Sequence, residues 1–474
     1  MNRGNLIKII GAVLGISVAL IVSLMPTPAG FNQLGQAVLG ITLMTAIFWA
    51  TGPISLGSAT VLMLALYALV GVPATTAFSA FTSATAWVLI PGLLYGFAMA
   101  KTGLGKRIAW SLIRISKPTY PSIMLTFLAL GFAFSLVIPS FTARVALIAP
   151  IAWAIVKAMK VEECSDGCAL LTLGSMILVV VPGLAFLTGT LYGPMLIGYL
   201  PAAEAAKVTW LGWFTTFGVP FVLFSILTYF GLILVFKPKQ PLSISPSMVK
   251  DEMAKLGPMT RSEKYLLAIF VLSIVGWIAQ SLPGMSWFGA QYTAMLGLAA
   301  LFATRVLSPP DFSGIPWDLA IFIIGAVSLG TVISYPTAGV GTFLGNIIGP
   351  ALLPIAANIL IFAPLFFILV FLFNAVAAML PLVIVFLASL LPQMMGLGYT
   401  PYIIYAIALA AWPMTFFKWS FYPVAMVEGF TGGKGFKMSH QLKLGAVVLV
   451  MALISLLVGV LYWQMTGLFP AKTL

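Results

Sequence analysis

The chain has 474 residues, of which 61% are hydrophobic and 7% charged, with a mean hydropathy of +1.13. No water-soluble domain of that length could carry such a composition on its surface, so the chain reads as a polytopic membrane protein. The net charge of +13 is spread over many short loops, which makes it a report on topology and leaves no need for a nucleic-acid partner.

Apolar runs long enough to cross roughly 30 Å of hydrocarbon as helix recur along the whole sequence. Residues 5–25, 34–51, 54–72 and 84–101 read as the first spans, followed by a hairpin at 121–160, a broken span at 168–200 and a span at 210–236. The order then recurs as 264–282, 288–306, 316–334, a hairpin at 351–391, a broken span at 400–430 and a span at 440–468. The expected fold is all-α, because each segment must satisfy its own backbone in lipid and nothing shows the alternation of a membrane barrel. With both hairpins re-entrant there are about eleven transmembrane crossings. Residues 1–236 form a first half, 237–263 a polar cytoplasmic linker with room for anionic-lipid contact, and 264–474 a second half. Arg3 and Lys8 precede the first apolar run, as in a signal peptide, but no small-x-small cleavage site follows, so an uncleaved first span is expected.

With the N-terminus in the cytoplasm, this segmentation places nineteen of the 23 Lys+Arg on that face and only Lys207 and Lys472 outside, where the C-terminus lies. One crossing more or fewer would invert every later loop and destroy the bias. The halves also share landmarks: Trp87 and Trp317 are 230 positions apart, while Pro150 and Pro381, like Pro182 and Pro413, are 231 apart. An odd number of crossings separates the two hairpins, so the first enters from the cytoplasm and the second from outside. Inverted repeats of this kind belong to secondary transporters, whose sites lie at mid-membrane between discontinuous helices.

The remaining two cations, Arg144 and Lys418, lie inside otherwise apolar segments beside Pro, Gly, Ser and Thr breaks, with no acidic residue near in sequence. A buried cation at mid-membrane depth costs roughly 2.5–3.5 kcal/mol and marks a functional site, here one suited to an anion. Two readings of each stay open. Arg144 either pairs as a fork with a substrate carboxylate or clamps hairpin carbonyls; Lys418 either serves the site or snorkels to an interface.

The stretches FSAFTSATAWVLIPGLLYGFAMAKTGLGKRIA (78–109), IPSFTARVALIAPI (138–151) and IPWDL (315–319) resemble the divalent anion/sodium symporter family of di- and tricarboxylate transporters. The resemblance runs in order over nearly the whole chain and is closest to the branch carrying citrate, tartrate, malate or 2-oxoglutarate. It implies a homodimer whose protomers pair a scaffold with a moving elevator part. It also implies two hairpin tips bearing Ser-Asn-Thr which, with the broken helices, hold substrate carboxylates and sodium. The first tip here reads Ser140-Phe141-Thr142-Ala143-Arg144, with Phe in place of Asn, and the first break Thr188-Gly189-Thr190 precedes Gly193-Pro194 where the family has Asn-Pro. For the second tip a shifted register at Phe373-Asn374-Ala375 recovers the Asn, while the second break puts Lys418 and aromatics beside Ser420 where small polar residues are usual. Expected substrate contacts are therefore Ser140, Thr142, Arg144, Thr188, Thr190, Asn374, Lys418 and Ser420, with Ser140 and Gly189 at a sodium site. An ammonium on a four-carbon stem can also stand in for a second sodium, and that is a further reading of Lys418.

Other residues carry less. Cys164 and Cys168 in a cytoplasmic ECSDGC loop make a poor metal site; His440 starts a helix and reads as solvated or as a minor pH sensor; Asp318 and Glu428 read as capping or interface groups. The Gly-x-Gly pairs at 103–105 and 339–341 follow helices and no strand, which excludes a dinucleotide site. An intramembrane enzyme would need a nucleophile with a base or a ligand cluster, and neither is present, so no catalytic residue and no organic cofactor is expected. A proton antiporter would need a deep carboxylate, yet all ten acidic residues fall in loops or near span ends. The expectation is a secondary active transporter of small organic or divalent anions in the cytoplasmic membrane, by sodium symport or anion exchange. An ion antiporter or passive anion channel of related fold is the alternative.

Overall fold

A computed structural model describes residues 3–200, 202–205, 207–242, 246–285, 287–377, 394–418 and 420–468. They are helical, with no strand among them. Eight of the described helices are long and apolar enough to cross a membrane, and six shorter apolar helices accompany them.

The first helix, Arg3–Leu24, packs along Gln33–Thr51, and the buried Gln36 amide holds its end by donating to the carbonyls of Val22 and Met25 at 2.6 and 2.7 Å. Beyond this pair, the halves lock into each other. Leu56–Leu69 packs on Trp317–Ile333 of the second half, and Ala84–Thr102 packs on Ala290–Ala303. Shifting by 230 residues maps Leu56–Leu69 near Ala290–Ala303 and Ala84–Thr102 near Trp317–Ile333, so each of the two early helices packs on the counterpart of the other. Reciprocal packing is the signature of a two-fold relation between equivalent units. Polar links pin it: Asp318 accepts from the Ser55 hydroxyl and from the Gly57 amide at 3.0 Å, and Tyr95 meets Ser273 at 3.0 Å.

Gly103 and Gly339 end the equivalent turns with φ of +80° and +65°, a left-handed conformation that only glycine adopts without strain. After Gly103 the chain forms an amphipathic helix, Leu104–Ile115, and within the linker a second helix, Pro246–Leu256, lies against it. The first hairpin consists of Tyr120–Ser135 and Phe141–Ala158, joined by residues 136–140. Two segments are discontinuous. Helix from Asp166 passes through a π turn at Leu170–Gly174 and a tightened turn at Val181–Ala185, opens at 186–191 and resumes at Tyr192–Gly198. Pro401–Ala411 likewise opens before resuming at Tyr422–Thr431. Pro182 and Pro413 sit at these openings, where each removes an N–H and blocks a continuous ladder.

The segment expected to form the second hairpin, 351–391, is built differently. Residues 351–356 complete the helix Val340–Ala356, the chain turns at 357–358, and Ile359–Ala377 is one helix. The expected tip at 373–375 is therefore helical, and residues 378–391 lie outside the described residues.

Candidate functional site

The first discontinuity and the first hairpin tip form one knot. Ser140 caps Phe141–Ala158 by accepting from the Ala143 amide at 3.2 Å, and its hydroxyl meets that of Thr142 at 2.8 Å. Arg144, 0% exposed, donates to the Ser135 hydroxyl and to the Gly189 carbonyl at 2.8 Å, while its Nε has no partner among the described residues. Thr188 donates to the Leu136 carbonyl at 3.3 Å and accepts from the Trp210 indole at 3.0 Å; Thr190 is buried beside it in sequence. The break closes on itself because two glycines touch: a Cβ at Gly189 would stand 2.4 Å from the Gly183 carbonyl oxygen, and one at Gly183 would meet the Arg144 guanidinium at 2.4 Å.

Arg144 thus binds a carbonyl of the break and a hydroxyl of the hairpin, the contacts that the clamp reading expects. Its charge has no carboxylate against it among the described residues. Gly189, expected to serve sodium, instead offers its carbonyl to Arg144, and a cation placed there would face a guanidinium. Phe141 packs its ring 4.9 Å from Trp412 of the second discontinuity, and Tyr192 meets the same indole at 5.0 Å. The hairpin tip and the first discontinuity are thus both joined to the second by aromatic contact.

The second discontinuity is wired otherwise. Ser420 turns its hydroxyl inward, to the carbonyls of Met414 and Phe417 at 3.0 and 2.9 Å. Asn374, near the end of Ile359–Ala377, is 0% exposed, and both atoms of its amide lack a hydrogen-bond partner among the described residues. Three residues earlier, Phe371 sets its ring 5.8 Å from Phe416, so this helix abuts the break. Within the break the buried Thr415 hydroxyl also has no partner among the described residues, nor has Gln441 Oε1, while the Thr415 carbonyl accepts from Gln441 Nε2 at 3.1 Å. Among the described residues, the seam between Ile359–Ala377, the break and Met438–Met465 therefore holds three unpaired side-chain oxygens and one unpaired amide nitrogen. Thr415 and Gln441 went unnoticed in the sequence. Thr415 follows Pro413 and could have been found there, whereas Gln441 sits in an ordinary first turn with no signal.

Lys418 departs from its expected part. It forms an ion pair with Glu428, the residue read as a cap or interface group, and the two side chains are 42% and 38% exposed. A neutralised, half-open pair cannot act as the buried uncompensated cation inferred from sequence. Asp318 does cap, as described above. His440, expected to be solvated, is buried: Nδ1 accepts from the Lys437 amide at 3.1 Å and Nε2 faces Asp166 at 3.2 Å. Cys164 and Cys168 are free thiols directed at the Lys434 carbonyl, at 3.5 and 3.7 Å.

Comparison with known proteins follows the same lines. The family model for the sodium:sulfate symporter transmembrane region matches residues 6–469. A putative malate transporter of Bacillus subtilis is 24% identical over 345 residues, 70% of this chain and 71% of that protein. A sodium-dependent dicarboxylate transporter of Staphylococcus saprophyticus is 25% identical over 370 residues, 72% and 70% of the two chains. Among solved structures, the YdaH transporter of Alcanivorax borkumensis aligns over 99% of this chain and 100% of its own with a TM-score of 0.56; at 15% identity the likeness is one of fold.

Proposed function

Because the chain belongs to the sodium:sulfate symporter family, we propose that it is a secondary active transporter of small divalent organic anions, the dicarboxylate class, driven by sodium or by exchange. The observation that carries the reading is Arg144. Neutral acceptors hold its guanidinium without cancelling the charge, so the hairpin tip stays positive. The N-terminus of the 18-residue helix Phe141–Ala158 adds its dipole at the same place. At an effective dielectric of about 20, a carboxylate about 6 Å from such a charge gains about 3 kcal/mol. Substrate is thus drawn to the tip around Ser140, Thr142, Thr188 and Thr190, where it would exchange for some of their internal hydrogen bonds, with Arg144 attracting from behind the clamp.

The same reading moves sodium to the second discontinuity. Unpaired oxygens of Asn374, Thr415 and Gln441 beside an unwound chain are the hard, uncharged donors that sodium takes, with Ser420 bracing the loop. The names of the relatives support a dicarboxylate as cargo and sodium as coupling ion, since one is called a malate and another a sodium-dependent dicarboxylate transporter. The topology that accompanies this reading has a cytoplasmic N-terminus, an outer C-terminus, an elevator motion and a homodimer in the cytoplasmic membrane.

The test is uptake into proteoliposomes of malate, succinate, 2-oxoglutarate and sulfate, with and without an inward sodium gradient and with or without counter-anion inside. Saturable uptake of a dicarboxylate is expected. Absence of uptake for every anion under every gradient, by protein that is folded and inserted, would overturn the proposal.

A further inference from the structure

The amphipathic helix Leu104–Ile115 buries Leu104, Ala109, Trp110 and Ile113 and turns Lys106 and Arg114 outward. Most cations where it meets Pro246–Leu256 are already engaged. Arg107 binds Glu263 at 2.7 Å and the carbonyls of Leu256 and Gly257 at 3.0 and 2.9 Å, while Lys106 and Lys255 share Glu252 at 3.6 and 2.5 Å. Arg114 and Lys250 are different: neither has a carboxylate or other hydrogen-bond partner among the described residues. Both border a groove of about 720 Å³ whose walls also include Ile113, Val249, Met253 and Ala254. That volume falls within the ~300–1,000 Å³ usual for small-ligand sites.

We propose that this groove seats an anionic phospholipid of the cytoplasmic leaflet, its phosphate between Arg114 and Lys250 and an acyl chain along the apolar wall. Charge complementarity selects the headgroup, since two unpaired cations meet a leaflet of negative surface potential. The wall selects a lipid over a soluble anion, because Ile113, Val249 and Met253 offer nothing to a hydrated ion. Amphipathic helices that carry cations on one face lie in that interfacial plane. The inference rests on the orientation proposed above but on no property of transport. Bound there, the lipid would pin the linker between the halves to the membrane surface.

The probe is dioleoyl-phosphatidylglycerol, with dioleoyl-phosphatidylcholine as the uncharged comparison, added to delipidated full-length protein and counted by native mass spectrometry. Preferential retention of the anionic lipid is expected, falling roughly fivefold when either cation is removed and roughly thirtyfold in the double variant R114Q/K250Q. The pair R114K/K250R should restore it. Ala254→Trp, which fills the groove and leaves every charge in place, should lose retention with an unchanged melting temperature. Equal retention of the two lipids, undiminished binding by R114Q/K250Q or by Ala254→Trp, or displacement of the lipid by glycerol 3-phosphate at equal concentration would each overturn the proposal.

Discussion

The two discontinuous segments occupy equivalent places in the repeat and use their polar groups in opposite ways. In the first, nearly every donor and acceptor is committed within the protein: Arg144 to Gly189 and Ser135, Thr188 to Leu136 and Trp210, Ser140 to Thr142 and Ala143. In the second, Asn374, Thr415 and Gln441 keep polar atoms with no partner among the described residues. An unpaired buried polar group costs about 1–3 kcal/mol. A rigid tip with fixed positive charge thus faces a seam whose stability is incomplete until something binds. Under the proposed function the first kind of structure would hold the anion and a cation would complete the second.

The largest expected effect breaks the first break where its backbone is closest. Gly189→Ala places a methyl 2.4 Å from the Gly183 carbonyl, and neither backbone can yield, so transport should be abolished and about 3 kcal/mol of stability lost. The control lies in the second segment, where Gly429 has open space around it; Gly429→Ala should leave transport and melting temperature near wild type. Equal tolerance of both changes, by uptake and thermal melting, would end the claim that the first segment is the rigid one.

Next comes the clamp. Arg144→Gln should lower the melting temperature, by the loss of about 2–3 kcal/mol of charge-assisted bonding, and, because the attracting charge goes with it, should raise the anion KM as well as depress the maximal uptake rate. Arg144→Lys keeps the charge and can retain one bond, so it should recover part of each. A fork that touched substrate directly would instead raise KM at constant melting temperature, and that result would return Arg144 to its alternative role.

Asn374→Leu separates stability from activity. Removing an unpaired buried amide should leave the melting temperature equal or higher, by about 1 kcal/mol, while sodium activation of uptake disappears. A strongly destabilised Asn374→Leu protein with normal sodium dependence would show that the seam is not a cation site. The smallest effect belongs to Lys418. An exposed pair contributes about 0–1 kcal/mol, so Lys418→Met with Glu428→Gln should keep the sodium Hill coefficient and the anion KM of the wild type. A new sodium requirement in that variant would restore the tethered-cation reading.

What could be read from the sequence follows from the range of the forces involved. Spans and breaks were legible because hydrophobic length and proline act locally, and the 231-residue offset brought Pro182 and Pro413 to matching openings. The tip at Asn374 was misplaced because Phe371–Ala377 contains no residue that stops a helix, so the shifted register placed a turn where the backbone has no reason to make one. Lys418 looked unpaired because its partner is ten residues on, across a break that folds the chain back. Arg144 was found, but its clamp depends on Ser135 and Gly189, brought to it only by the docking of the hairpin on the break. Leu104–Ile115 was taken for loop, since a search for membrane-long runs passes over a 12-residue helix lying flat.

The reciprocal packing of the halves also bears on how the chain is made. Leu56–Leu69 and Ala84–Thr102 are synthesised some two hundred residues before Trp317–Ile333 and Ala290–Ala303, on which they pack. Until those arrive, the early helices sit in the membrane with a mating face exposed, and the late ones cannot mature without them. Assembly is therefore expected to follow insertion, and a nascent chain stalled at the linker should be more readily proteolysed than the full chain. Two separately expressed pieces cut within residues 237–263 should be unstable apart and should find each other when produced together, since the contacts that define the scaffold cross that cut.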